Sequence, residues 1–293
     1  MTAAEIAAVL GAAHRLGRWW SCRCPAHDDR TPSLSLCDGD RGLIVRCWAG
    51  CDPRDVLAEL RCRRLLDCVG AAPFTNERPD DRRNYERRIE IARRLWAKAW
   101  DPRGTAVEHY LAARGITIPV PPSLRWVDAL RRPDGTHAPA MIARVDGLHD
   151  HPIAVHRTWL TRGDRGQWHR HDRKSLGPLA GGAVRLGPTS ETLLVAEGIE
   201  TALAAMQATA MPGWAALSTS GMVALALPAC VQEVVILADH DRSGAGQRAA
   251  HTAARRWLQE GRRVRIALPP EPGADFNDVL LGRSQQRGRA HVA

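Results

Sequence analysis

The chain has 293 residues, with 41 Lys and Arg against 32 Asp and Glu, a formal net charge of +9 and eight cysteines. It is long enough for two or three domains, and its charge favours polyanionic partners. No apolar run approaches the roughly 18 residues of a membrane span, and Met1–Leu16 lacks a basic stretch followed by an uninterrupted apolar one, which excludes membrane and secreted classes and leaves a cytoplasmic protein as the expectation.

In chain order, residues 2–13 predict a short helix, and 18 to about 60 have the polar, cysteine-punctuated character of a metal-stapled module closed by a helix over 52–60. Pro73, Pro79 and the polar residues around them make 70–81 a linker. Ile89, Ala92, Leu95 and Trp96 recur at helical spacing within 81–99, and 107–114 predicts a second short helix ending at Gly115. From about 116 to 187, short apolar segments such as 141–145 and 153–155 predict twisted β structure with long basic loops. The last third alternates: strands at 192–196, 215–217, 233–239 and 263–268, with helices at 199–210, 222–227 and 245–260. That alternation implies a mostly parallel sheet covered on both faces. The end, 285–293, reads as frayed.

Two constellations carry chemistry. Cys24 and His27, followed by Cys47 and Cys51, are ligand pairs about 20 residues apart that can close a tetrahedral Zn²⁺ site, and metal binding would supply folding free energy to a small polar segment. Cys22 and Cys37 are rival ligands; Cys62 and Cys68 fit buried thiols better. In the last third, the apolar run 235–238 ends in Asp239 and Asp241, and 193–196 ends in Glu197. Carboxylates at the carboxyl ends of neighbouring strands are how an α/β sheet presents oxygen ligands to Mg²⁺ or Mn²⁺. Asp239 and Asp241 are the central ligands, and Glu197 is either a third ligand or the acceptor of a hydroxyl proton.

Among the basic residues crowding 156–174, Arg157, Arg173 and Lys174 are candidate contacts to nucleotide or DNA phosphates, against the reading of a solvated charged face. Trp48, between two cysteine ligands, is a candidate for stacking on a base, while Trp96, Trp100 and Trp257 read as core. The chain has no G-x-x-x-x-G-K-[ST] run, so a P-loop motor is not expected in this polypeptide. Neither Tyr85 nor Tyr110 sits in a recognisable nucleophile motif.

The run from Cys24 to Leu36, with Cys47 to Cys51, resembles the zinc ribbon of bacterial, phage and plasmid primases. Glu197-Gly198, Asp239-His240-Asp241 and the segment Gly273 to Asp278 resemble the Toprim domain that those primases share with topoisomerases. More loosely, Arg173 to Gly177 and Gly181 to Gly187 resemble the middle module of small primase-like proteins from mobile elements. The resemblance adds Asp275 to the acidic site and places Lys174 in a family-like segment. Two departures stand out: Thr201 occupies the place of a further acid, and Asn277 that of a second aspartate.

The fold expected is α/β, with a Toprim-type mostly parallel sheet (188–284), an N-terminal zinc ribbon (1–69), a mixed α+β middle module (70–187) and a flexible tail (285–293). The resemblance implies a primase that joins ribonucleoside triphosphates into short RNA primers on a single-stranded DNA template. It implies structural Zn²⁺, catalytic Mg²⁺ or Mn²⁺, and a replicative helicase as a separate protein. A metal-dependent nuclease or nicking enzyme, and a non-catalytic template-binding protein that recruits a helicase or polymerase, are the alternatives.

Overall fold

The computed structural model describes residues 1–27, 29, 32–39, 42–48, 51, 53–66, 79–148, 151–240 and 244–282. It divides into two compact units, Met1–Arg78 and Pro79–Ala293.

The first unit contains α1 (Ala3–Leu10), β1 (His14–Leu16), β2 (Trp19–Cys22), β3 (Leu34–Gly39), β4 (Gly42–Cys47) and α2 (Pro53–Cys62). The strands form an antiparallel sheet in sequential order. A reciprocal Thr2–Glu5 capping box opens α1, a device worth about 1 kcal/mol. The helix stops before the expected residue 13 because Gly11 and Ala12 take φ of 82° and 53°, outside the helical region. Ile6, Leu34, Leu36, Val56 and Leu60 make a small core, too little for a module of this size to rest on hydrophobic burial alone. Cys22 and Cys37 are buried in the strands, whereas Cys62, expected inside, is exposed. Cys68 and most of the expected linker lie outside the described residues.

The second unit opens with α3 (Pro79–Lys98) and α4 (Ala106–Ala113), followed by the antiparallel meander β5 (Leu124–Arg131), β6 (His137–Asp146), β7 (Pro152–Arg162) and β8 (Trp168–Leu176). The β structure expected from about 116 to 187 is therefore present, and its strands take in much of the basic sequence expected as loops between them. β8 was hidden because it is an edge strand with charged side chains and little apolar alternation, a composition that also discourages edge-to-edge pairing. Through Ala92 the helix α3 covers one face of the meander, against Ile142, Val155 and the fully buried Trp159. Trp100, expected in the core, is 74% exposed, although its backbone bridges to Trp126.

The remaining elements are β9 (Val184–Arg185), β10 (Thr192–Ala196), α5 (Ile199–Thr209), β11 (Gly213–Ala215), α6 (Thr219–Ala224), β12 (Glu233–Leu237), α7 (Ala245–Gln259), β13 (Arg263–Ala267) and α8 (Phe276–Leu280). Their sheet runs β13-β12-β10-β11-β9, parallel except for β9. β11 and α6 each begin earlier than the apolar runs suggested. Met222 and Leu225 pack with Trp257, Ala250 and Ala253 of α7 on one face of the sheet. The other face joins the meander in one continuous core, in which Leu124, Met141 and Leu160 meet Leu194, Ala196 and Leu203. No helix among the described residues is long and apolar enough to cross a membrane.

Candidate functional site

In the first unit, ligand atoms of Cys24, His27, Cys47 and Cys51 all lie within 4.8 Å of one another. Cys24 and His27 lie just after β2, Cys47 ends β4 and Cys51 precedes α2, and Cys22 and Cys37 fall outside the group. His27 presents Nδ1 to the sulfurs, 3.2 Å from Cys51 and 4.0 Å from Cys47. Its Nε2 lies 3.6 Å from Asp29, so a carboxylate orients the ring as in many histidine–metal sites. Asp29 also accepts from the Cys24 amide at 2.6 Å and from the Ser33 hydroxyl at 2.7 Å. Burial opposes its charge, yet these hydrogen bonds hold its carboxyl below the ordinary range.

A hydrogen bond with Cys47, then burial, raises the Cys24 thiol far above its ordinary range. Burial and the neighbouring Cys47 push Cys51 up to about 11. Thiols crowded in this way become stable thiolates when they share a divalent cation. A soft three-sulfur, one-nitrogen donor set with an oriented imidazole fits Zn²⁺. Beside the cluster, Trp48 remains 52% exposed. Arg46 stacks 4.1 Å from its ring centroid and its indole N–H donates to Ser35 at 2.9 Å.

In the second unit, β10 and β12 are adjacent and parallel, with Ala196 paired to Leu237. Glu197 follows Ala196 directly and Asp239 follows Leu237 after Ala238, so both leave the sheet at the carboxyl ends of its strands. The Leu217 amide donates to the Glu197 carbonyl at 2.8 Å, and the Ala238 amide donates to Ala267 at 3.0 Å, which fixes both strand ends. Asp241 lies outside the described residues.

Asp275 caps α8, its Oδ1 accepting from the Asp278 amide at 2.7 Å and its Oδ2 from Arg114 at 3.1 Å. Asn277 is 2% exposed and donates to the Arg114 carbonyl. The amide at this position thus ties α8 to the end of α4, and Thr201, 7% exposed, is buried within α5.

The meander supplies the opposing wall. Thr158 pairs with Arg173, Trp159 with Asp172 and Leu160 with Arg170, leaving His171 as an extra residue in β8. This bulge reverses the alternation of side chains. Without it Arg170 and Arg173 would point to opposite faces; with it both share the face of Thr158 and His156. There they line a narrow pocket with Glu197, Gly198 and Glu200.

Arg157 and Lys174 are paired across the strands, and they belong to the other face, that of Trp159 and α3. Arg157 donates to the Lys174 and Ser175 carbonyls at 3.1 and 3.2 Å. Of the three basic candidates, then, only Arg173 is brought to Glu197. Arg170 and Glu200 complete the pocket. The signal for Arg170 was present in the basic run but carried no face, because a bulge is invisible in residue spacing.

Glu200 stands on the first turn of α5, 7% exposed. It accepts from the Tyr110 hydroxyl at 2.6 Å and lies 3.9 Å from Arg170. Tyr110 itself is buried, and burial and this carboxylate raise its pKa. His156 is buried beside them and bonded to Ser175 at 2.8 Å. Burial dominates, outweighing the attraction of Glu200, and pushes its pKa down to about 4. The imidazole is neutral at physiological pH.

Residues 192–286 match the family model of the Toprim domain, and residues 86–186 match that of a domain of unknown function, DUF7146. No curated protein matches the chain. Among solved structures it is similar to the zinc-binding and RNA polymerase domains of the Aquifex aeolicus primase, at 15% identity and a TM-score of 0.42, covering 99% of this chain and 82% of that one. The primase fragment of the bacteriophage T7 primase-helicase matches at 15% identity and a TM-score of 0.42, covering 93% and 99%. For the RNA polymerase domain of the Mycobacterium tuberculosis primase the values are 15%, 0.31, 68% and 65%. The parallel sheet that carries Glu197 and Asp239 is thus a Toprim domain, and the protein is a Toprim-domain protein with an N-terminal Cys/His metal cluster.

Proposed function

We propose that the protein is a primase-like nucleotidyltransferase that joins ribonucleoside triphosphates on a single-stranded DNA template. The observation that carries this reading is the meeting of opposite charges in one pocket. Glu197, whose strand is adjacent and parallel to the one that leads to Asp239, faces Arg170 and Arg173. Carboxylates suit divalent cations and guanidinium groups suit phosphate oxygens, which together are what phosphoryl chemistry requires.

Glu197, Asp239 and Asp241 would hold Mg²⁺ or Mn²⁺, and Asp275 would join them on exchanging Arg114. Bound there, the cation would neutralise charge developing on the phosphates. The arginine pair orients the triphosphate. Trp48, exposed but fixed by Arg46 and Ser35, offers a face on which a template base can stack. The zinc cluster maintains the sheet that carries it. Unwinding of duplex falls to a separate helicase.

The test incubates the full chain with single-stranded DNA of varied sequence, labelled ribonucleotides and Mg²⁺ or Mn²⁺. Template-dependent oligoribonucleotides are expected, falling at least about 100-fold in Asp239→Ala. Shortened template in place of these products would replace the reading with a nuclease. Tight template binding with neither product would replace it with a recruitment protein.

A further inference from the structure

We propose that Glu200 is a positioning residue, holding Arg170 so that Arg170 and Arg173 together receive phosphate oxygens beside Glu197. This rests on the phosphate chemistry proposed above and extends it to a side chain outside the acidic site.

A carboxylate 7% exposed in the first turn of α5 is costly unless its charge is answered. Two groups answer it. The Tyr110 hydroxyl, from α4, fixes one oxygen at 2.6 Å, and the guanidinium of Arg170, from β8, lies 3.9 Å from the same atom. Tyr110 is 3% exposed and cannot swing to solvent, so the oxygen that Arg170 approaches is held in place by a buried donor. Arg170 remains 44% exposed, anchored to Glu200 while able to take a further ligand.

The His171 bulge is what makes the arrangement available, because it turns Arg170 to the face of Arg173. A long, flexible side chain held at one end loses less freedom when it binds an anion. Guanidinium pairs are geometrically suited to phosphate oxygens.

Electrostatics and positioning predict opposite signs. Removing a negative charge from the pocket should strengthen anion binding by simple Coulomb attraction, whereas losing the anchor of Arg170 should weaken it. The experiment titrates inorganic tripolyphosphate, in the presence of Mg²⁺, into the full chain by calorimetry. Glu200→Gln is compared with Arg170→Ala, Tyr110→Phe and Arg263→Ala, the last a charge control at the opposite ends of the strands.

The expected result is a loss of about tenfold for Arg170→Ala, a smaller loss of roughly threefold to fivefold for Glu200→Gln, a lesser one for Tyr110→Phe, and no change for Arg263→Ala. Thermal melts identify any variant that has lost its fold, and Tyr110→Phe keeps the question open to measurement if Glu200→Gln is among them. Tighter or unchanged binding in folded Glu200→Gln, or absent binding in the parent protein, overturns the proposal. Should the parent make no primers yet follow the predicted binding order, the positioning role stands and the polymerising function falls.

Discussion

Asn277 shows what a single side chain decides. In a Toprim-like acidic segment an aspartate would look like a gain at this position, because it would add a metal ligand. Here the amide is buried and donates to the Arg114 carbonyl. A carboxylate in its place would set two acceptors against each other and bury a charge with no donor in exchange for the bond it breaks. Asn277→Asp is therefore expected to destabilise the protein by about 2–4 kcal/mol, read as a lower denaturant midpoint, without improving Mg²⁺ affinity. An unchanged midpoint would mean that the amide is not a tie between α4 and α8.

The places of Glu197 and Asp239 at strand ends were legible in the sequence because each directly follows an apolar run that has to be a buried strand. Glu200 could not. Its burial depends on Tyr110, 90 positions earlier in the chain, a distance over which local pattern holds no information.

At the scale of elements, strands and helices of the last third were legible because their apolar runs have to be covered. β8 was not, since an edge strand answers mainly to its ladder and can be charged along its length. The bulge within it has a testable mark. Deleting His171 leaves Arg170 opposite Leu160 and two residues from Arg173, so both arginines keep the pocket face and tripolyphosphate is expected to bind within about twofold of the parent. His171→Ala keeps the residue count and is expected to bind as the parent does, by the same calorimetric titration. A loss of about tenfold in the deletion variant would show that the bend of the bulge, and not the shared face alone, aims the arginine. The same reasoning explains why residue spacing could not separate Arg157 and Lys174 from Arg173: all three lie in the same two strands, and only their pairing places the first two on the α3 face.

For the whole molecule, the two units differ in what holds them. The first has a small core around Ile6, Leu34 and Leu60 and a four-residue metal cluster. Binding of zinc to such a site is worth on the order of 10 kcal/mol, comparable to the stability of a domain. Chelation, or Cys51→Ser in the full chain, is expected to remove one zinc per chain and melt the first unit, while the second retains its transition in a calorimetric scan. Loss of both transitions together would show that the units fold as one. The metal module was legible from cysteine and histidine spacing, since ligand identity and turn length are local properties. The packing of the meander and the parallel sheet into one core was not, because contacts between distant segments leave no local mark in the sequence.

That continuity has a consequence for how ligands are met. Leu160 of the meander and Leu194 of the Toprim sheet are buried in one cluster, so the arginine wall and the carboxylate edge are set against each other by close packing, not by a hinge. The ordering entropy of assembling the pocket is met when the chain folds. An arriving phosphate has only to immobilise side-chain ends. The pocket is preorganised, and its selectivity should come from rigid spacing more than from closure around the ligand.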